Sequence, residues 1–182
     1  MSKQYTLAVE MDDDPQNPRT EFDNVTTMAF FHRKYSLGDS VDFDSQDFDD
    51  WEDMKKYILE EEDAYAVFPV YMYDHGGLTI RLRPFSCTWD SGQVGFVYVT
   101  KATVQHEFPG YKFDLEKLNE RILKCVQGEV TTYDSYLSGQ VFCYVVRDKD
   151  GDSIDSCYGY YSEKEAKEDG QAALEQYVCK EL

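Results

Sequence analysis

Three short segments carry side chains able to move a proton or hold a phosphate. His32-Arg33-Lys34-Tyr35 sets an imidazole, a guanidinium and an ammonium side by side in an otherwise acidic half of the chain. An imidazole transfers protons near neutrality and a guanidinium steadies a developing oxyanion, which is the minimum equipment for metal-free cleavage of RNA. Arg19, expected across a hairpin from this segment, adds a second guanidinium. Tyr73-Asp74-His75 and Thr88-Trp89-Asp90-Ser91-Gly92 flank one strand and bring another imidazole, two carboxylates and a hydroxyl. Within hydrogen-bond reach of one another, Asp74, His75, Asp90 and Ser91 could do acid–base work.

Each segment also has a plainer reading. A basic pair beside an acidic helix is often an intramolecular salt-bridge patch. His75 ahead of Gly76-Gly77 suits a turn, Trp89 could seal the core, and Asp90 or Ser91 could satisfy turn amides. Asp148-Lys-Asp-Gly-Asp has calcium-like acids, but Gly151 falls at the fourth position where an EF-hand loop needs its glycine at the sixth, so a hairpin turn is expected. His106-Glu107 lacks the second histidine of a zinc protease, and no nucleophile-elbow, Walker or dinucleotide glycine motif occurs. Neither a metal nor a cofactor is expected. The five cysteines form no C-x-x-C pair, and no run reaches the ~18 apolar residues of a membrane span. With no apolar leader at the start of the sequence, a cytoplasmic chain with free thiols and no membrane partner is expected.

Acidic residues outnumber basic ones 36 to 18, a formal net charge of -18. Such a field opposes direct binding of free DNA or RNA but attracts proteins that carry positive channels for nucleic acid, because carboxylates can occupy a groove built for phosphates. Asp47, Asp49, Asp50 and Asp53 are the densest stripe, and with Arg19, His32, Arg33, Lys34 and Tyr35 they are the candidate partner-binding residues. The same acids also suit the positive end of a helix dipole.

The elements that must position these groups are of both kinds. Residues 4–10 and 25–32 read as two strands of an N-terminal hairpin, with Asp12 to Thr20 as its exposed tip. Ser45 is a candidate N-cap for a helix through Phe48, Trp51, Met54, Ile58 and Leu59. Residues 64–73, 78–82 and 94–100 read as a three-stranded meander, with Pro69 pointing to an edge or a bulge. Asp114 can cap a helix running towards Leu137 with Gly139 ending it, and strands at 140–147 and 153–161 precede a last helix over 162–179. The expected fold is α+β: an antiparallel sheet packed against about three helices, in a single domain over 1–182, with residues 1–36 as a protruding hairpin extension and 37–182 as the core.

The stretch Pro69-Val-Tyr-Met-Tyr-Asp-His-Gly-Gly-Leu-Thr-Ile, followed by Arg83-Pro-Phe-Ser-Cys-Thr-Trp-Asp-Ser-Gly-Gln-Val-Gly-Phe-Val-Tyr, resembles a family of small acidic proteins of phages and mobile elements. In size and acidity the chain is similar to the anti-CRISPR inhibitors of type II systems. The resemblance implies a partner, a type II Cas nuclease with its guide RNA in the host cytoplasm, and two routes of inhibition: blocking a nucleic-acid channel or promoting truncation of the guide. It assigns no catalytic residue, so an inhibitor and a partner-dependent RNA-cleaving protein both stand. A stand-alone hydrolase or nuclease, and an acidic DNA mimic against a restriction enzyme or repressor, are the alternatives.

Overall fold

The two N-terminal strands do not pair with each other. In the computed structural model, which describes residues 5–111 and 114–179, β1 (Thr6–Met11) pairs antiparallel with β6 (Phe142–Arg147), and β2 (Thr27–Phe30) pairs antiparallel with β5 (Ser91–Thr100). The protruding hairpin expected over residues 1–36 is thus corrected; Gln4, where its first strand was to begin, lies outside the described residues. An isolated two-stranded ribbon is marginal in water, and each strand buries more apolar surface by joining a larger sheet. Among the described residues the fold is α+β, with two antiparallel sheets and five helices. No helix among them is long and apolar enough to cross a membrane. The chain divides into two compact units, Met1–Asn17 with Ser135–Leu182, and Pro18–Asp134.

The first unit is a sheet in the order β1-β6-β7, where β7 is Ser153–Tyr160, with helix α5 (Glu163–Cys179) packed on it. Leu7, Tyr144, Val146 and Ala173 share one apolar cluster, and α5 approaches closely enough that a Cβ on Gly170 would lie 2.7 Å from Leu7. The β6–β7 turn is the expected one: the Asp148 carboxylate accepts the Asp150 and Asp152 amides at 3.0 and 3.1 Å, and Gly151 takes φ +88°.

The second unit is a sheet in the order β2-β5-β3-β4, with β3 at Ala64–Asp74 and β4 at Leu78–Arg81. The meander is corrected: β3, not β4, occupies the middle, because β5 returns to the far side of β3. Pro69 is accommodated because β4 pairs only with Tyr71–Asp74, so β3 has one neighbour at Pro69, and a bulge follows at Val70/Tyr71. Helix α2 (Trp51–Glu60) starts later than Ser45, and its buried Met54 and Ile58 join a core with Ala29, Phe43, Phe96 and Tyr98. Ser45–Asp47 is a separate 3-10 turn capped by Asp44, and Phe48 then extends to pack against Phe43 and Tyr57. Asp50 is the true cap of α2, accepting the Glu52 and Asp53 amides at 2.9 Å each.

Helix α4 (Leu115–Leu137) runs as the spacing predicts. Asp114 accepts the Lys117 amide at 3.2 Å, and the end closes as a Schellman motif: Gln140 N–H donates to Ser135 O, Gly139 N–H to Tyr136 O, with Gly139 at φ +70°. The seven-residue helix α3 (Lys101–Glu107), capped by Thr100, follows β5 and was not anticipated. Burial raises the pKa of Asp134 on α4, against the opposing pull of the Ile80 amide it accepts at 2.7 Å. A raised carboxyl pKa means the folded chain holds this proton more tightly than the unfolded chain, so its contribution to stability is full below the ordinary Asp value and declines as pH rises through the folded value. Asp134→Asn keeps an acceptor for Ile80 and removes the charge. We therefore expect its stability relative to wild type to improve from acid towards neutral pH, as read by thermal melts of both proteins at each pH.

Candidate functional site at three converging strand ends

The order β2-β5-β3 brings two of the sequence-predicted clusters together. β2 and β3 both run antiparallel to β5, so their C-terminal ends meet its N-terminal end. Phe31 N–H donates to Val94 O at 2.8 Å on one side, and Asp74 N–H donates to Asp90 O at 2.9 Å on the other. His32, Arg33, Lys34, Asp74, Trp89, Asp90, Ser91 and Gln93 consequently line one open depression of about 430 Å³. Arg33, Lys34 and Tyr35 are exposed, and His32 is half-buried with its ring stacked on Tyr35, centroids 5.0 Å apart. Lys34 Nζ lies 3.4 Å from Asp74 Oδ2, and His75 Nδ1 lies 3.3 Å from Asp90 Oδ2. Among the described residues no group of three or more metal-ligating side chains forms.

The basic ridge is a loop pinned at its base. Ala29 bridges to Gly38, Gly38 N–H donates to the Tyr133 hydroxyl at 2.9 Å, and Gly38 takes φ +73° with Met28 O only 2.3 Å from where a Cβ would sit. The returning Asp39 accepts Met28 N–H at 2.8 Å. Behind it stands Arg19, which is corrected from a partner-contacting residue to an internal one, because only 8% of it is exposed. Its guanidinium donates to both Asp39 oxygens at 2.9 and 2.5 Å, to Glu129 Oε2 and Asn24 Oδ1 at 2.8 Å each, and to Thr26 O at 2.6 Å. Burial pulls its pKa down, but the two carboxylates outweigh that and raise it. Arg19 on α1 (Pro18–Glu21) is therefore the anchor of the ridge, tying the loop's base to α4.

Trp89 is the other correction. It does not seal the core; 94% of it is exposed. The sequence around it, Thr88-Trp89-Asp90-Ser91, carries polar turn formers on both sides, which is the signal that could have marked it as outward. Gln93, with its amide donating to Gly95 O at 3.3 Å, also lines the depression and was not singled out from sequence. The Ser91 hydroxyl donates to the Cys87 carbonyl oxygen, so its proton is directed at the chain rather than at a base.

The acidic stripe stands elsewhere. Asp47, Asp49, Asp50 and Asp53 are all exposed, but three of them serve the local backbone. Asp47 accepts the Asp44 amide at 2.8 Å, Asp50 caps α2, and Asp53 accepts the Asp49 amide at 3.4 Å. Part of that cluster is thus explained by helix ends alone.

The depression combines the basic Arg33–Lys34 ridge, an exposed indole and the Asp74 and Asp90 carboxylates, on a chain whose net charge is -18. Chemically it can grip a phosphodiester, offer a π-face and present an imidazole for proton transfer. Comparison with protein-family models, with curated proteins and with solved structures gives no match for this chain.

Proposed function

We propose that this chain is an anti-CRISPR inhibitor that docks on a guide-loaded type II Cas nuclease and engages the guide RNA through the depression beside His32, Arg33 and Lys34. The observation that carries this reading is the convergence of those residues with Trp89 and Asp90 at one open site, on a chain otherwise too acidic to seek nucleic acid unaided. The acidic surface draws the chain to the nuclease's positive channels, and the basic ridge meets the RNA once docking has overcome the repulsion. Truncation of the guide follows if His32 takes the 2′-hydroxyl proton as that oxygen bonds to the adjacent phosphorus, Arg33 steadies the phosphorane charge, and the 5′-oxygen leaves with a proton returned by the imidazolium or by water.

Arg33→Ala combined with Lys34→Ala is expected to weaken inhibition of target cleavage about tenfold or more, since hydrogen bonds to charged groups contribute roughly 1.5–3 kcal/mol each. Both side chains are exposed, so the melting temperature should not change. Undiminished inhibition by that variant would remove the site from the mechanism. The second reading is occlusion by the exposed Asp47, Asp49, Asp50 and Asp53; it predicts instead that replacing those four with Asn abolishes inhibition while the guide stays intact. A stand-alone hydrolase built on Asp74, His75, Asp90 and Ser91 has the His75–Asp90 contact in its favour, and it requires turnover without any nuclease present.

A further inference from the structure

We propose that Trp89 with Arg33 and Lys34 forms a subsite for one unstacked nucleotide of single-stranded RNA, with the base on the indole and the phosphodiester on the basic pair. This deepens the reading of the depression as an RNA-engaging site and rests on it. An indole left almost wholly in water forgoes the burial that usually governs where Trp sits, yet here it forms a wall of the depression that Arg33 and Lys34 also line. The loop holds it outward. Cys87 O accepts the Ser91 hydroxyl and Asp90 O accepts Asp74 N–H, so both flanks of Trp89 are tied down and the side chain is presented rather than folded back. The neighbouring aromatic faces are already used: the Arg81 guanidinium sits 3.8 Å over the Phe85 ring, and Phe85 stacks on Tyr73 at 5.5 Å.

A volume of about 430 Å³ is in the range of small-ligand sites and admits a nucleotide. Every base has a π-face, and stacking on an exposed aromatic is the usual way a single strand is held without sequence readout. A duplex cannot use this platform, because its bases are already stacked. The Asp74 and Asp90 carboxylates accept hydrogen bonds from a ribose 2′-hydroxyl and find nothing equivalent on deoxyribose, which selects RNA. Lys34 offsets the Asp74 charge at close range, and His75 Nδ1 lies 3.3 Å from Asp90 Oδ2.

The test uses the intact chain and a probe with a single phosphate, so that the net charge of -18 opposes binding as little as possible. The chain has two Trp residues, hence two indole N–H resonances, which Trp89→Phe assigns. On titration with the dinucleotide ApA, the Trp89 resonance should shift saturably and that of Trp51, packed edge-on to Phe96, should not. Stacking of ~1–3 kcal/mol per base corresponds to weakening by Trp89→Ala of roughly tenfold, and Arg33→Ala/Lys34→Ala should weaken binding similarly. Trp89→Ala should melt with wild type, because the side chain is exposed. An unmoved Trp89 resonance, or ApA affinity unchanged in Trp89→Ala, overturns the subsite. Equal or tighter binding of d(ApA) overturns the assignment to RNA. ApA binding by a chain that fails to inhibit any guide-loaded nuclease would leave the subsite standing and remove the proposed function instead.

Discussion

Arg19→Met, which keeps the side chain's length and removes its charge, is expected to destabilise the Pro18–Asp134 unit by about 3–5 kcal/mol. Removing one partner of a buried ion pair leaves the others uncompensated, and here the orphans are the carboxylates of Asp39 and Glu129, whose side chains are only 20% and 17% exposed. Each has other duties. Asp39 accepts the Met28 amide, and Glu129 accepts the Val25 amide at 2.7 Å and the Thr26 hydroxyl at 2.5 Å, so neither can turn to solvent without releasing the start of β2. Urea unfolding should show the loss as a lower midpoint. Arg19→Met/Asp39→Asn should recover part of it, because the double replacement removes one of the two stranded charges. An Arg19→Met chain within 1 kcal/mol or so of wild type would mean that water reaches these carboxylates and that Arg19 does not anchor the ridge.

Gly95→Ala should cost about 3 kcal/mol or more, for a steric reason. Gly95 lies opposite Phe30 of β2 with φ +156°, and a Cβ there would sit 1.9 Å from the Ala29 carbonyl oxygen. The obstacle is backbone, not the end of a flexible side chain, so β2 must move away from β5. The same displacement carries Phe31 and the basic ridge away from Trp89 and Asp90, so inhibition should fall with stability. Gly92→Ala is the matched control, three residues earlier in the same strand with nothing within 4 Å of the added methyl. Its unfolding free energy should stay within about 0.5 kcal/mol of wild type.

How far the fold could be read from sequence depended on how local its causes were. The α4 boundaries, the Asp148–Asp152 turn and the last helix followed from caps, periodicity and turn residues that act within a few positions. Strand partnership did not, because β1 and β6 meet across more than a hundred residues and nothing in Leu7 or Val9 names Val146 or Tyr144 as its partner. The start of α2 was misplaced for a mixed reason: Ser45 does open a turn, but Phe48 is drawn into the aromatic cluster and breaks the helix before Asp50 restarts it.

The candidate site shows the same division. His32-Arg33-Lys34 and Asp74-His75-Asp90 were each legible as chemistry-bearing segments, but their meeting is a product of the order β2-β5-β3. Arg19 looked like one more surface cation because sequence carries no mark of the two carboxylates, 20 and 110 positions away, that allow its burial. Trp89 was read as a residue that could seal the core, whereas the polar turn formers around it and the clamps on either side hold it outward.

The most direct measurement is to incubate the chain with guide RNA alone and with a guide-loaded type II Cas nuclease, then assay cleavage of target DNA and run the RNA on a denaturing gel. Our account predicts that cleavage is lost with the nuclease complex and that the guide is shortened there and not when free, an effect that Arg33→Ala/Lys34→Ala weakens. Target DNA cut as fast with the chain as without it, across a panel of such nucleases, would contradict the account.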